Sequence, residues 1–168
     1  MQLRHLHILA GLGLLLASPT HANPQSAGNG WRLFVDIGGY YRVNYPGTWQ
    51  VLTRGNALVI TSPGGPEIRG VFGITPRPEG SNIQETVDKE FKDPERSPDL
   101  KQAPSRIAGR PAVKVWGSKK GDPNIRMVEY YVQEGPQQFY ILFQAPHAGM
   151  TRFGPIFERM IASMKFLK

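Results

Sequence analysis

The chain contains no cysteine. That excludes disulfides, a thiol nucleophile, thiolate metal sites and the N-terminal cysteine through which bacterial lipoproteins are anchored. Histidine is nearly as scarce. There are four in 168 residues, and His5, His7 and His21 all fall within the first 22. No segment reaches the ~18 uninterrupted apolar residues that a membrane-spanning helix needs. There is no Walker phosphate loop and no Asp-rich loop with EF-hand spacing. No serine sits in a G-x-S-x-G elbow, and GSKKG at 117–121 fails that spacing.

The first 22 residues set an address. Arg4 lies in a short basic start, HILAGLGLLLA (His7 to Ala17) is apolar, and Thr20 and Ala22 supply the small residues of a cleavage site. This is the pattern of a secretory signal peptide over 1–22, without the Arg-Arg pair of a twin-arginine signal. Its removal takes one arginine and leaves 19 Lys+Arg against 13 Asp+Glu, a balance of +6. Export argues against nucleic acid, so a basic surface points to acidic proteins or anionic membranes, or serves solubility alone. His147 is then the sole imidazole of the mature chain, and a zinc site of the two- or three-histidine kind is excluded.

NPQSAGNG at 23–30 is small and polar, and 23–39 reads as a flexible lead-in or edge segment with Trp31 and Phe34 packed down. From Tyr40 the pattern alternates, with Tyr41, Val43 and Tyr45 on one face. The stretch YYRVNYPGTWQV could be an aromatic ligand cage or a hairpin turning at Pro46-Gly47 with its rings in the core. Ring burial of ~1.5–3 kcal/mol each favours the hairpin. Further strands follow at 57–62 and 69–75. Ser81 with Gln84 suggests a capping box for a helix whose Ile83, Val87 and Phe91 share a face. The Pro-rich DPERSPDLKQAP reads as a surface loop. Extended runs then flank Gly109-Arg110 and Gly135-Pro136. FYILF is apolar on both faces, as in the centre of a covered sheet. Phe153, Ile156, Phe157, Met160, Ile161 and Met164 trace a final helical stripe. Short turns favour antiparallel pairing, so the expected fold is α+β, an antiparallel sheet with helices against it.

Candidate site residues are few. His147, in the loop QAPHAGM, is either a metal or catalytic group or a solvated loop side chain. Glu129 and Asp36 are the conceivable carboxylate pair for glycoside chemistry. Lys119 and Lys120 occupy a hairpin tip, and Arg106 and Arg110 flank the preceding turn. If these tips share one end of the sheet, the four form a docking patch for an acidic partner. No cofactor is required by any motif, and calcium or manganese on oxygen ligands has no motif behind it.

YRVNYPGTWQV, RGVFGITPRPEGSNIQETVDKEF and FYILFQAPHAGMTRFGPIFERMIASMKF together resemble the PsbP-like family, extrinsic subunits of photosystem II, over about Tyr40 to Phe166. The wider Mog1/PsbP-like fold group also includes exported bacterial proteins with no photosynthetic role. The resemblance implies an α/β/α sandwich with a central antiparallel sheet flanked by helices, a PsbP-like domain at 40–168. It implies a non-catalytic accessory protein in the periplasm or thylakoid lumen, making peripheral contact with an acidic membrane-associated complex such as photosystem II. There it would help retain calcium and chloride at the oxygen-evolving centre or assist assembly. Cyanobacterial members commonly carry an anchoring cysteine that this chain lacks.

Overall fold

The computed structural model describes residues 25–27, 30–77, 80, 82–93 and 97–167. The segment read as a signal peptide lies outside them. Eleven strands and two helices are described, and all strand pairs are antiparallel. They are β1 (Gln25–Ala27), β2 (Trp31–Val35), β3 (Tyr41–Pro46), β4 (Gln50–Arg54), β5 (Ala57–Thr61), β6 (Arg69–Pro76), α1 (Ile83–Phe91), β7 (Lys101–Ile107), β8 (Arg110–Lys119), β9 (Asp122–Glu134), β10 (Gln137–Pro146), α2 (Met150–Ser163) and β11 (Lys165–Phe166). The fold is α+β, as expected, but with two sheets. Seven strands run β4-β5-β6-β10-β9-β8-β7, and four run β1-β2-β3-β11.

β10 stands at the middle of the larger sheet, where its two apolar faces place it. Phe139, Ile141 and Phe143 enter the main core with Phe72, Tyr41 and the α2 residues Phe157 and Met160. On the opposite face α1 lays Val87, with Ile83 and Phe91 beside it, over Val113, Val115 and Tyr131. One face is thus covered by a helix alone, the other by α2 together with the smaller sheet.

Three expectations need correction. YYRVNYPGTWQV is neither a cage nor a hairpin. Tyr41, Val43 and Tyr45 are buried as their alternation requires, but β3 pairs with β2 and β11, whereas β4 pairs with β5 in the other sheet. The Pro46-Gly47 turn, closed by the Trp49 amide donating to the Pro46 carbonyl (2.9 Å), carries the chain between layers. Trp49 ends between Phe153 and Phe157 of α2. Second, the helix cap is Asn82. Its Oδ1 accepts from the Glu85 amide at 2.8 Å, and its Nδ2 donates back to the Glu85 carboxylate at 2.8 Å. Ser81, read as the cap, lies outside the described residues. Third, KQAP is no loop. β7 begins at Lys101 and includes Pro104, tolerated because β7 is an edge strand.

The lead-in carries β1 and β2. Phe34 is buried, and the Arg159 guanidinium lies 4.3 Å over the Trp31 ring. Among the described residues no helix is long and apolar enough to cross a membrane.

Candidate functional site

The β8–β9 hairpin outruns its neighbours, and its end gathers polar side chains from four separate segments. Gly121 takes a positive φ of 76° in the turn, and the register slips at Ser118/Lys119. Just inside the turn, Ser118 faces Arg126 across the pair. Asp99, preceding β7, reaches this row because Gly117 has no side chain. A Cβ there would meet Leu100 Cδ2 at 2.8 Å and Asp99 Oδ1 at 3.1 Å. His147 arrives from the far side, directly after β10.

These residues form one line of contacts across the sheet end. The Ser118 amide donates to both Asp99 oxygens (3.0 and 3.2 Å), and its hydroxyl donates to Oδ2 at 2.8 Å. Ser97 donates to Oδ1 at 2.8 Å. Arg126 Nη1 donates to Asp99 Oδ2 at 3.0 Å and to Ser118 Oγ at 2.9 Å, while its Nε donates to His147 Nδ1 at 2.9 Å. The Ser118 bonds first, then Ser97 and the Arg126 charge, hold the Asp99 carboxyl at about 2, well below its ordinary value. The guanidinium is thus fixed on both sides. Nη2 has no partner among the described residues.

This order of contacts does not make a nucleophile. Arginine stands between the carboxylate and the imidazole. The group that accepts the Ser118 hydroxyl hydrogen bond, Asp99, is held at about 2 and is too weak a base to activate it. Nor does it favour a cation. A guanidinium 2.9 Å from the only described histidine repels one, and no group of three or more His, Asp or Glu gathers among the described residues. The other carboxylate pair dissolves too. Asp36 follows β2 in the smaller sheet, whereas buried Glu129 accepts from the Tyr131 and Tyr140 hydroxyls (3.2 and 3.0 Å) in the larger.

The four basic candidates do not share an end. Arg110 opens β8 and Lys119 closes it, at opposite ends of a strand of ten residues, or roughly 30 Å apart. Arg106 donates to the Gly109 carbonyl at 3.1 Å, and Arg110 pairs with Glu134. Arg106 is spent on its own turn and Arg110 on the end of β9. Lys119 and Lys120 occupy the opposite end, at the tip of the hairpin that carries Arg126. Sequence reasoning missed Asp99, Ser118 and Arg126, since they meet only through strand register.

No protein-family model matches the chain, and no curated protein matches its sequence. Solved structures do match by shape. Cyanobacterial PsbP (CyanoP) from Synechocystis superposes with a TM-score of 0.64 at 10% identity, over 84% of this chain and 98% of that one. A crystal structure from Bacteroides thetaiotaomicron gives 0.61 at 13% identity, over 81% of this chain. The present chain spans only 48% of that protein's length. LpqN of Mycobacterium tuberculosis, involved in cell envelope biogenesis, gives 0.54 at 12% identity, over 86% of this chain and 90% of that one. Identities this low speak for the fold, and near-complete coverage of CyanoP makes that likeness one of whole domains. The chain has the PsbP-like fold.

Proposed function

We propose that this chain is an exported, non-catalytic accessory protein that docks on an acidic, membrane-associated protein complex. Support of the photosystem II oxygen-evolving centre, or of its assembly, is the specific case that the likeness to CyanoP favours. The observation that carries the reading is the hairpin end. Lys119 and Lys120 stand at its tip with Asp122 paired opposite Lys119, and Arg126 and His147 meet just inside it. The carboxylate facing Arg126, Asp99, is held by Arg126 and two serines. On a chain with an excess of seven cationic side chains, such an end gives electrostatic steering and a salt-sensitive contact.

The test is fractionation of host membranes, following the protein with antibodies through washes of rising salt. Retention at low salt and release at ~1 M, where screening reaches ~3 Å, is expected. Lys119→Glu with Lys120→Glu releases the protein at lower salt still. Retention unchanged at ~1 M salt, or recovery only in the soluble fraction, overturns the reading. The likeness to LpqN favours a second one, an envelope module with no photosynthetic role. A host that does not photosynthesise decides for it.

A further inference from the structure

Resting on the docking reading above, we propose that the contact surface is the face of the larger sheet over β7, β8 and β9. We further propose that it reads an extended acidic protein segment with carboxylates at alternate positions. Val113 and Val115 point under α1, so Lys114 and Trp116 stand on the opposite face. Register places Tyr130 beside Lys114, Val128 and Lys101 beside Trp116, and Arg126 beside Ser118. α2 and the smaller sheet cover this face only part-way. Tyr130 packs at the margin of their core. Trp116 and Lys114 lie beyond it and stay half-buried, and Lys101 is exposed.

The strip is therefore three rows, each two residues or about 7 Å from the next, and each brings one cation. Arg126 heads the first, Lys101 the second and Lys114 the third. Two of the three are held ready. Lys114 Nζ sits 5.8 Å from the centres of both the Trp116 and Tyr130 rings, and Arg126 is pinned by Asp99, Ser118 and His147 with Nη2 unpartnered among the described residues. Cations already ordered lose little freedom on binding. Against them stand Asp99, committed to its serines and Arg126, and Glu158 of α2, close enough to raise the Tyr130 hydroxyl further after burial has done so. The strip is net positive, with a half-buried tryptophan at its centre of the type that anchors interfaces.

The spacing selects the partner. Side chains on one side of an extended chain repeat at the same ~7 Å as the rows. A segment laid along β8 therefore brings carboxylates at i, i+2 and i+4 level with Arg126 on the β9 side, Lys101 on the β7 side and Lys114 beneath, each one strand spacing (~5 Å) or less to the side. A bilayer is a poorer fit, because the Lys114 ammonium stands over the half-buried Trp116 ring, which a membrane anchor would need to bury in lipid. Pro104 removes a donor from the free edge of β7, which directs the segment to the face.

Binding of a labelled Ser-Glu-Ser-Glu-Ser-Glu peptide to the full chain, read by fluorescence anisotropy, tests the assignment. The comparators are a peptide of the same composition with contiguous glutamates and phosphatidylglycerol vesicles. The alternating peptide binds more tightly, and Lys101→Glu or Arg126→Gln weakens it about tenfold, with Trp116→Ala at least as costly. Lys101 is exposed, so its substitution spares the fold. Equal binding of both peptides, or indifference to Lys101→Glu while the Lys119→Glu/Lys120→Glu double variant abolishes binding, overturns the face assignment and leaves the docking reading standing. Vesicle binding without peptide binding overturns the acidic segment in favour of a membrane. If neither probe binds and the host fractionation also fails, both readings fall together.

Discussion

Tyr41 shows how much one side chain decides. Its place in the alternating run made its burial legible, and it stacks near Phe72 (6.1 Å) while meeting Phe139 edge-on (5.9 Å). Burial first, then the nearby Asp36 carboxylate, pushes its hydroxyl well above the usual tyrosine range. The folded form therefore keeps this proton after the unfolded chain has lost its own near pH 10. The contribution to stability is intact below that pH and declines as pH rises beyond it, by ~1.4 kcal/mol per unit. Urea unfolding between pH 9 and about 11 should show that slope, and Tyr41→Phe should flatten it. His147, Lys119 and Lys120 were equally legible as residues. Arg126 was not, because nothing local marks an arginine whose carboxylate partner lies 27 positions away.

Among the elements, strand faces were readable and strand partners were not. A period of two fixes which side of β3 is buried, yet says nothing of whether β3 pairs with β4 or with a strand 120 residues later. β11 has only two residues and is too short to carry a period. β7 was hidden by Pro104, a residue that disqualifies a central strand but suits an edge. The turn joining β7 to β8 holds a strained residue. Ala108 and Gly109 both take positive φ, 48° and 80°. Glycine adopts that region freely, whereas alanine is strained by ~1 kcal/mol. Ala108→Asn, which suits such a turn, should raise the thermal midpoint by a few degrees in a melting scan. No change, or a fall, would mean that the turn does not hold this conformation in solution.

At the scale of the whole molecule, the fold class and the central place of β10 followed from apolar pattern, and the second sheet did not. That sheet borrows β11 from beyond α2 and β3 from before the larger sheet begins. Its closure rests on small contacts. The Asn44 amide donates to Ser163 Oγ at 2.8 Å, the Leu167 amide to the Tyr40 carbonyl at 2.9 Å, and Phe166 packs on Phe139 with centroids 4.8 Å apart. Phe166→Ala should cost about 2 kcal/mol, less than a fully buried phenylalanine, seen as a lower urea midpoint with an unchanged slope.

The borrowed strand also sets a clock. A chain emerging with its N-terminal side first can pair β4 through β10 as it appears, but β3 has a bare flank until α2 and β11 arrive. Loop closure over that span comes last and is entropically the slowest to meet. The free flank of β3 therefore stays without β11 until synthesis is nearly finished, even where Tyr41 can already meet Phe72 and Phe139. Under the export proposed above, a polypeptide that cannot seal its core early has a use, since it stays threadable while it crosses a membrane before folding.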